Sequence, residues 1–175
     1  MKKHGTKLYN VIFPIWMLVY FPVMWVFVAP ANYLIDLLVT RLSLKKAGVE
    51  DFRAMTRWKT MRKVWLLGFA ADLIGTVLMF GAMLIDSALD YNSAFGLWWY
   101  ENITNAVAMN PFENIWGFLY TAVCVVISAL LIYVFNDKIA LRKLDIEESI
   151  RKRVARSLAI FTAPYLFFLP TIWFY

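Results

Sequence analysis

Asp72 stands in the stretch LGFAADLIGT, and it is the only charged residue between Val64 and Ile85. A carboxylate set in such a run can hold an ion pair, bind a proton or cation, or work with a second carboxylate. An aspartate at the middle of a membrane helix costs about 2.5–3.5 kcal/mol on insertion scales. Each Leu, Ile, Phe or Val returns about 0.3–0.6 kcal/mol, so this segment inserts despite Asp72. An intramembrane ionisable group is a functional-site candidate by default. Gly68 and Gly75 lie one helical turn to either side and leave room for a partner. No Lys or Arg lies at the middle of an apolar run, so a cation must reach Asp72 from a helix end, and Arg156 is the expected partner by depth. Without one, the carboxyl favours its neutral form.

Around Asp72 the small and polar residues recur at helical spacing. Trp65, Gly68, Asp72, Gly75, Thr76, Met79 and Met83 share one face of a helix, and Leu66, Leu73, Val77 and Ile85 lie elsewhere. Farther along, Asn114, Gly117, Thr121, Cys124 and Ser128 step by three and four. Membrane helices pack through such residues, because small side chains let backbones approach and hydroxyls can bond across the contact. Gly68, Gly75, Gly117 and Cys124 are therefore expected at helix contacts. Asp72, Thr76, Thr121 and Ser128 are the polar candidates within the seam.

Other chemistries find little to work with. The chain has one cysteine and one histidine, Cys124 and His4, so an internal disulfide is impossible and His/Cys metal or haem sites lack ligands. No metal site and no cofactor is expected. A catalytic dyad of Asp36 and Asp72 is disfavoured: intramembrane aspartyl proteases carry a glycine before one aspartate, and Ala71 precedes Asp72. No nucleophile–base set is evident, and the chain is not expected to be an enzyme.

The elements that must position these residues follow from hydropathy. Hydrophobic residues make up 62% of the chain and aromatic residues 18%, and charges gather between long uncharged stretches. That is the pattern of a chain whose solvent is mostly lipid. The expected fold is an all-α integral membrane protein: a four-transmembrane-helix bundle with an amphipathic surface helix after the first span. The whole chain, 1–175, forms a single membrane domain with spans at about 8–29, 64–85, 115–135 and 155–175. The first apolar segment contains Pro14, Pro22 and Pro30, and Pro30 suits the first turn of a new helix. Asn32, Asp36, Thr40 and Ser43 then form a polar stripe opposite Leu34, Leu37, Leu38 and Leu42. Residues 30–47 read as an interfacial helix ended by Gly48, with one long kinked span as the alternative. Asp36 is expected to meet water at that interface. Residues 8–29, which resemble a signal peptide, read as an anchor.

Charge sets the expected topology. Loop 41–63 carries Arg41, Lys45, Lys46, Arg53, Arg57, Lys59, Arg62 and Lys63 against Glu50 and Asp51, and loop 137–156 is also basic. The connection 86–113 has no Lys or Arg. By the positive-inside rule the basic loops are cytoplasmic, the acidic loop is external, and the C-terminus lies at the outer interface of the cell membrane. A single crossing of 8–29 places the N-terminal tail outside, and a re-entrant hairpin at its prolines would place it inside. In 137–156, Asp145 is the expected cap of a helix with Glu148 at its third position; Glu147–Arg151 and Glu148–Lys152 have the favourable i, i+4 order.

The net charge of +6 flanks apolar segments, so it points to the bilayer and anionic lipid headgroups, not to nucleic acid. Arg53, Arg57, Lys59, Arg62 and Lys63, interleaved with aromatics, are the headgroup candidates. The expected role is a small accessory or scaffold subunit in a homo- or hetero-oligomeric membrane assembly. The alternative is a small oligomeric transporter or channel with Asp72 as the proton- or cation-coupling group beside Thr76 and Thr121.

Overall fold

A computed structural model describes residues 22–174 and is entirely helical apart from turns and connections. The expected crossing over 8–29 lies outside the described residues as far as residue 21, as does the N-terminal tail whose side was left open. The elements are α1 (Pro22–Lys46), α2 (Phe52–Met55), α3 (Trp58–Ala88), α4 (Ala94–Trp99), α5 (Asn105–Met109), α6 (Ile115–Phe135) and α7 (Glu148–Phe161). Wider π turns join α4 to α5 over Tyr100–Thr104 and extend α6 over Asn136–Ala140. Two short 3-10 turns, Tyr165–Phe168 and Thr171–Phe174, follow α7.

Two helices, Trp58–Ala88 and Ile115–Ala140, are long and apolar enough to cross a membrane. They pack along each other as the spine of the molecule, with α1 and α7 laid against them. Asn114 starts α6 by accepting the Gly117 amide at 2.8 Å, and Ser93 caps α4 by accepting the Gly96 amide at 2.9 Å.

The core has two parts. At the basic end, Leu44 of α1, Met61 and Val64 of α3, Ile132 of α6, Leu141, and Val154 and Leu158 of α7 interlock. At the acidic, aromatic end, Met79, Ala82, Ile103, Val107, Cys124, Val125, Ala163 and Phe167 form a second cluster. There Trp99 donates to the Ala82 carbonyl at 3.1 Å. Of the aromatic face expected in this connection, Ile103 and Val107 are buried, Trp99 is half-buried and Trp98 is exposed.

Two expectations about the helices are corrected. Residues 155–175 do not form a helical span. The helix ends at Phe161, because Thr162-Ala163-Pro164 cannot continue it: the ring of Pro164 clashes with the preceding turn and lacks an amide hydrogen. At 14 residues α7 is about 21 Å long, short of a ~30 Å hydrocarbon core. The chain beyond it continues in 3-10 turns to the aromatic end, where the Thr171 hydroxyl donates to the Ala108 carbonyl at 2.7 Å. Glu147, rather than Asp145, occupies the cap position of α7.

The second correction concerns residues 30–47. They do not start a separate helix, since α1 runs through Pro30 without interruption. The Trp65 indole bonds the Ala29 carbonyl at 3.0 Å, and Tyr33 lies edge-on to Trp65 at 6.3 Å, bracing α1 on α3 beside the proline. The polar stripe also faces the other way from expectation. Asp36 is 6% exposed and Thr40 0%, whereas Leu34, Leu38 and Leu42 are 60%, 57% and 56% exposed. The helix is amphipathic with its polar side inward.

Candidate functional site

Between the two cores, helix α3 carries its small and polar residues against α6 and the broken C-terminal segment. Gly75 abuts the Ser128 hydroxyl, and a side chain there would also collide with the Phe167 ring. Gly117 abuts Ala106 in the same manner. Cys124 is buried in the aromatic-end core. Gly68 is the exception among the expected packing glycines: its nearest neighbour is a carboxylate oxygen of Asp36, 3.8 Å from where a β-carbon would stand.

That neighbour identifies what Asp72 faces. Gly68 and Asp72 are one turn apart on α3, so the Asp36 carboxyl lies within about a turn of Asp72. The two carboxylates are near enough for each charge to act on the other. From sequence Asp36 is expected in water, and the two acids are weighed together only as a disfavoured catalytic dyad. The signal was present in the stripe Asp36–Thr40. Which side of the stripe faces solvent depends on the solvent, and in lipid the polar side turns inward.

The expected Asp72–Arg156 pair is not formed. Arg156 is exposed on α7, whose inward face is made by Val154, Ala155, Leu158 and Ala159, and no ion pair among the described residues joins Arg156 to Asp72. One Asp72 oxygen, Oδ1, is buried without a hydrogen-bond partner.

A third group reaches the crevice from α7. The Thr162 hydroxyl, at the end of that helix, lies between the Leu158 carbonyl at 2.9 Å and the Asp36 carboxyl. With one proton it can donate to only one of them at a time. Asp36, Asp72 and Thr162 stand about 15 Å, two and a half to three helical turns, from Lys46, Lys63 and Arg151 at the basic end. All three helices therefore bring their polar group to one depth.

The hydroxyls of the seam divide into two kinds. Those of Thr76, Ser128 and Thr162 bond back to the carbonyls of Asp72, Cys124 and Leu158, four residues earlier, at 2.8–3.0 Å. Thr40 and Thr121 do not; both are fully buried with hydroxyls that have no partner.

At the basic end a different acid is buried. Asp137, in the π turn after α6, accepts from Arg151 Nε at 2.8 Å and pairs with Lys138 Nζ at 2.9 Å. Lys152 and Glu148 pair at 2.6 Å on the exposed side, and the hydrogen bond from Lys152 holds the Glu148 carboxyl below its usual value. Near the aromatic end the Tyr91 hydroxyl donates to Asp86 at 2.6 Å, and that bond pushes the phenol above its ordinary value. Arg53, Arg57, Lys59 and Arg62 are exposed around α2 and the start of α3, with Lys63 half-buried. The Arg53 guanidinium lies 5.9 Å from the Phe52 ring centre.

These features define an all-helical protein with two membrane-length apolar helices and an unpaired carboxylate pair between its cores. Among known proteins no family model, no curated protein and no solved structure matches the chain.

Proposed function

We propose that the chain is a multi-pass protein of the cell membrane that serves as a small accessory or scaffold subunit, with its basic loops on the cytoplasmic side. The observation that carries this reading is the inverted helix α1, with Asp36 and Thr40 inward and Leu34, Leu38 and Leu42 outward. That arrangement is unfavourable in water and natural in lipid, where apolar side chains face the acyl chains and polar ones turn to each other. The outward sides of α3 and α6 are of the same kind, with Leu66, Leu73, Val77, Val123, Val126 and Leu130 exposed. Gly75 and Gly117 serve close helix packing, and the Thr76 and Ser128 hydroxyls are satisfied within their own helices, as a structural role requires. The lateral apolar faces are then available to lipid or to neighbouring subunits. Arg53, Arg57, Lys59, Arg62 and Lys63 lie where anionic headgroups would meet them, at about 1 kcal/mol per basic residue close to the surface.

Gentle extraction from native membranes followed by mass spectrometry tests this role. The expected result is a heteromeric complex at fixed stoichiometry; a homogeneous homo-oligomer would count against it.

One observation favours a second reading, an oligomeric transporter or channel. Asp36 lies against Gly68, one turn from Asp72, with no cation paired to either carboxyl among the described residues, which suits a coupling site for a proton or cation. On that reading Asp72→Asn abolishes coupled flux in liposomes while leaving the protein folded, and normal flux in the variant would dismiss it.

A further inference from the structure

We propose that Asp36, Asp72, Thr40 and Thr162 form the seat of one hard monovalent cation, of the Na+ class, where the broken end of α7 meets α1 and α3. The inference builds on the second reading above, but it concerns binding and does not require flux.

Four observations converge on it. Two carboxyls from different helices come within about a turn of each other, and like charges held together in a low dielectric are relieved either by a proton or by a cation between them. No lysine or arginine supplies it: the ion pairs among the described residues all lie at Asp137 and Glu148. Oxygen atoms are left over there. Asp72 Oδ1 is buried and unpartnered, and so is the hydroxyl of Thr40, whose side chain is wholly buried. Thr40 lies one turn beyond Asp36 on the same face. Helical side chains lean towards the N-terminus, so its hydroxyl is carried over the turn that holds Asp36. It also declines the back-bond to the Asp36 carbonyl that Thr76, Ser128 and Thr162 make to theirs, which leaves it free to coordinate.

The fourth observation is the helix break. Helix α7 stops at Phe161, about 15 Å from the basic end, so its C-terminal carbonyls and the negative end of its dipole are delivered to the depth of the carboxylates. Interrupted helices whose carboxyl ends point at mid-membrane are a recurrent way of holding Na+ or H+. The donor set consists of oxygen atoms alone, which selects a hard ion and excludes soft metals. It has two carboxylates and, among the described residues, no group of three acids, His or Cys, which suits one positive charge better than a divalent ion. A monovalent ion, with one carboxyl protonated, leaves the site neutral.

The test uses the full chain in detergent micelles, with thermal unfolding followed in choline chloride, NaCl and CaCl2 at equal ionic strength. The expected result is a saturable rise in Tm of about 3 °C or more with NaCl over choline chloride. Asp36→Asn and Asp72→Asn should each abolish that rise, and Thr40→Val should shift its midpoint about tenfold to higher NaCl. Equal behaviour of the wild-type chain in NaCl and choline chloride overturns the proposal whatever the variants do. A response to CaCl2 alone also overturns it, as does a rise obtained by acidification with none from NaCl. A Na+-specific rise retained in either aspartate variant removes the assigned residues. None of these failures alters the co-purification result, so the accessory role stands or falls separately.

Discussion

Asp137 and the Asp36–Asp72 pair are buried acids of opposite construction. Asp137 sits at the basic end, 1% exposed, with Arg151 at 2.8 Å and Lys138 at 2.9 Å. The pair sits between the two cores and has another carboxylate where a cation would be expected. The same helix, α7, serves both: its first turns send Arg151 to Asp137, and the residue that caps its end brings the Thr162 hydroxyl to Asp36. The chain thus sets two cations against a buried acid at the basic end. Three turns farther along, no cation among the described residues pairs with either carboxyl. Neutralising a buried acid with arginine locks a structure, because removing either partner strands the other. An acid pair left open stays available to a mobile ion.

The largest expected effect breaks the paired side. Arg151→Met strands Asp137 with only the exposed Lys138, and Tm in detergent should fall by about 5 °C or more, the greatest loss among these variants. A fall no larger than that of a surface change would remove the claim that this pair locks the basic end. Gly75→Val acts on the other region through packing. Its side chain would meet Ser128 and Phe167, and the expected loss is about 1–3 kcal/mol in chemical unfolding, with monodispersity reduced.

Asp72→Leu sharpens the contrast by sign. Replacing an acid that has no cation with an apolar group in sodium-free buffer should leave stability unchanged or raise it by about 1 kcal/mol. A loss comparable to that of Arg151→Met would mean that Asp72 has a structural partner after all. The smallest effect belongs to the exposed pair of Glu148 and Lys152. Because Lys152 holds the folded-state value of Glu148 below its ordinary 4.5, the pair's contribution is present above that pH. It is lost as pH falls through the lowered folded value. Glu148→Gln should erase this acid-side dependence and change little near neutrality, which Tm measured against pH checks.

Parts of this arrangement could be read from spacing alone. The step of threes and fours through Gly117, Thr121, Cys124 and Ser128, and the Gly68–Asp72–Gly75 face, follow from helical periodicity, and the structure lays Gly75 on Ser128. The acid partner could not be found that way. Periodicity located the stripe of Asp36 and Thr40 but says nothing about which side meets solvent, and a stripe turned inward was read as one turned to water. Pro164 does mark the end of the last helix in the sequence, but the span assigned to 155–175 fails for a related reason. Residues 155–175 have the hydropathy of a span, and hydropathy does not register that Pro164 and Pro170 forbid a continuous helix there. Pro30 misled in the opposite sense, because α1 absorbs it where Trp65 and Tyr33 brace the turn.

The inward stripe of α1 is the claim on which the membrane setting and the carboxylate pair both depend. Cys124 is the only native thiol, so its replacement by serine gives a background for single spin labels in liposomes. Labels at Leu34, Leu38 and Leu42 should collide readily with oxygen and hardly at all with a water-soluble nickel chelate, while a label at Thr40 should be shielded from both. Ready access of the nickel chelate to the leucine positions would place that face in water and contradict the account.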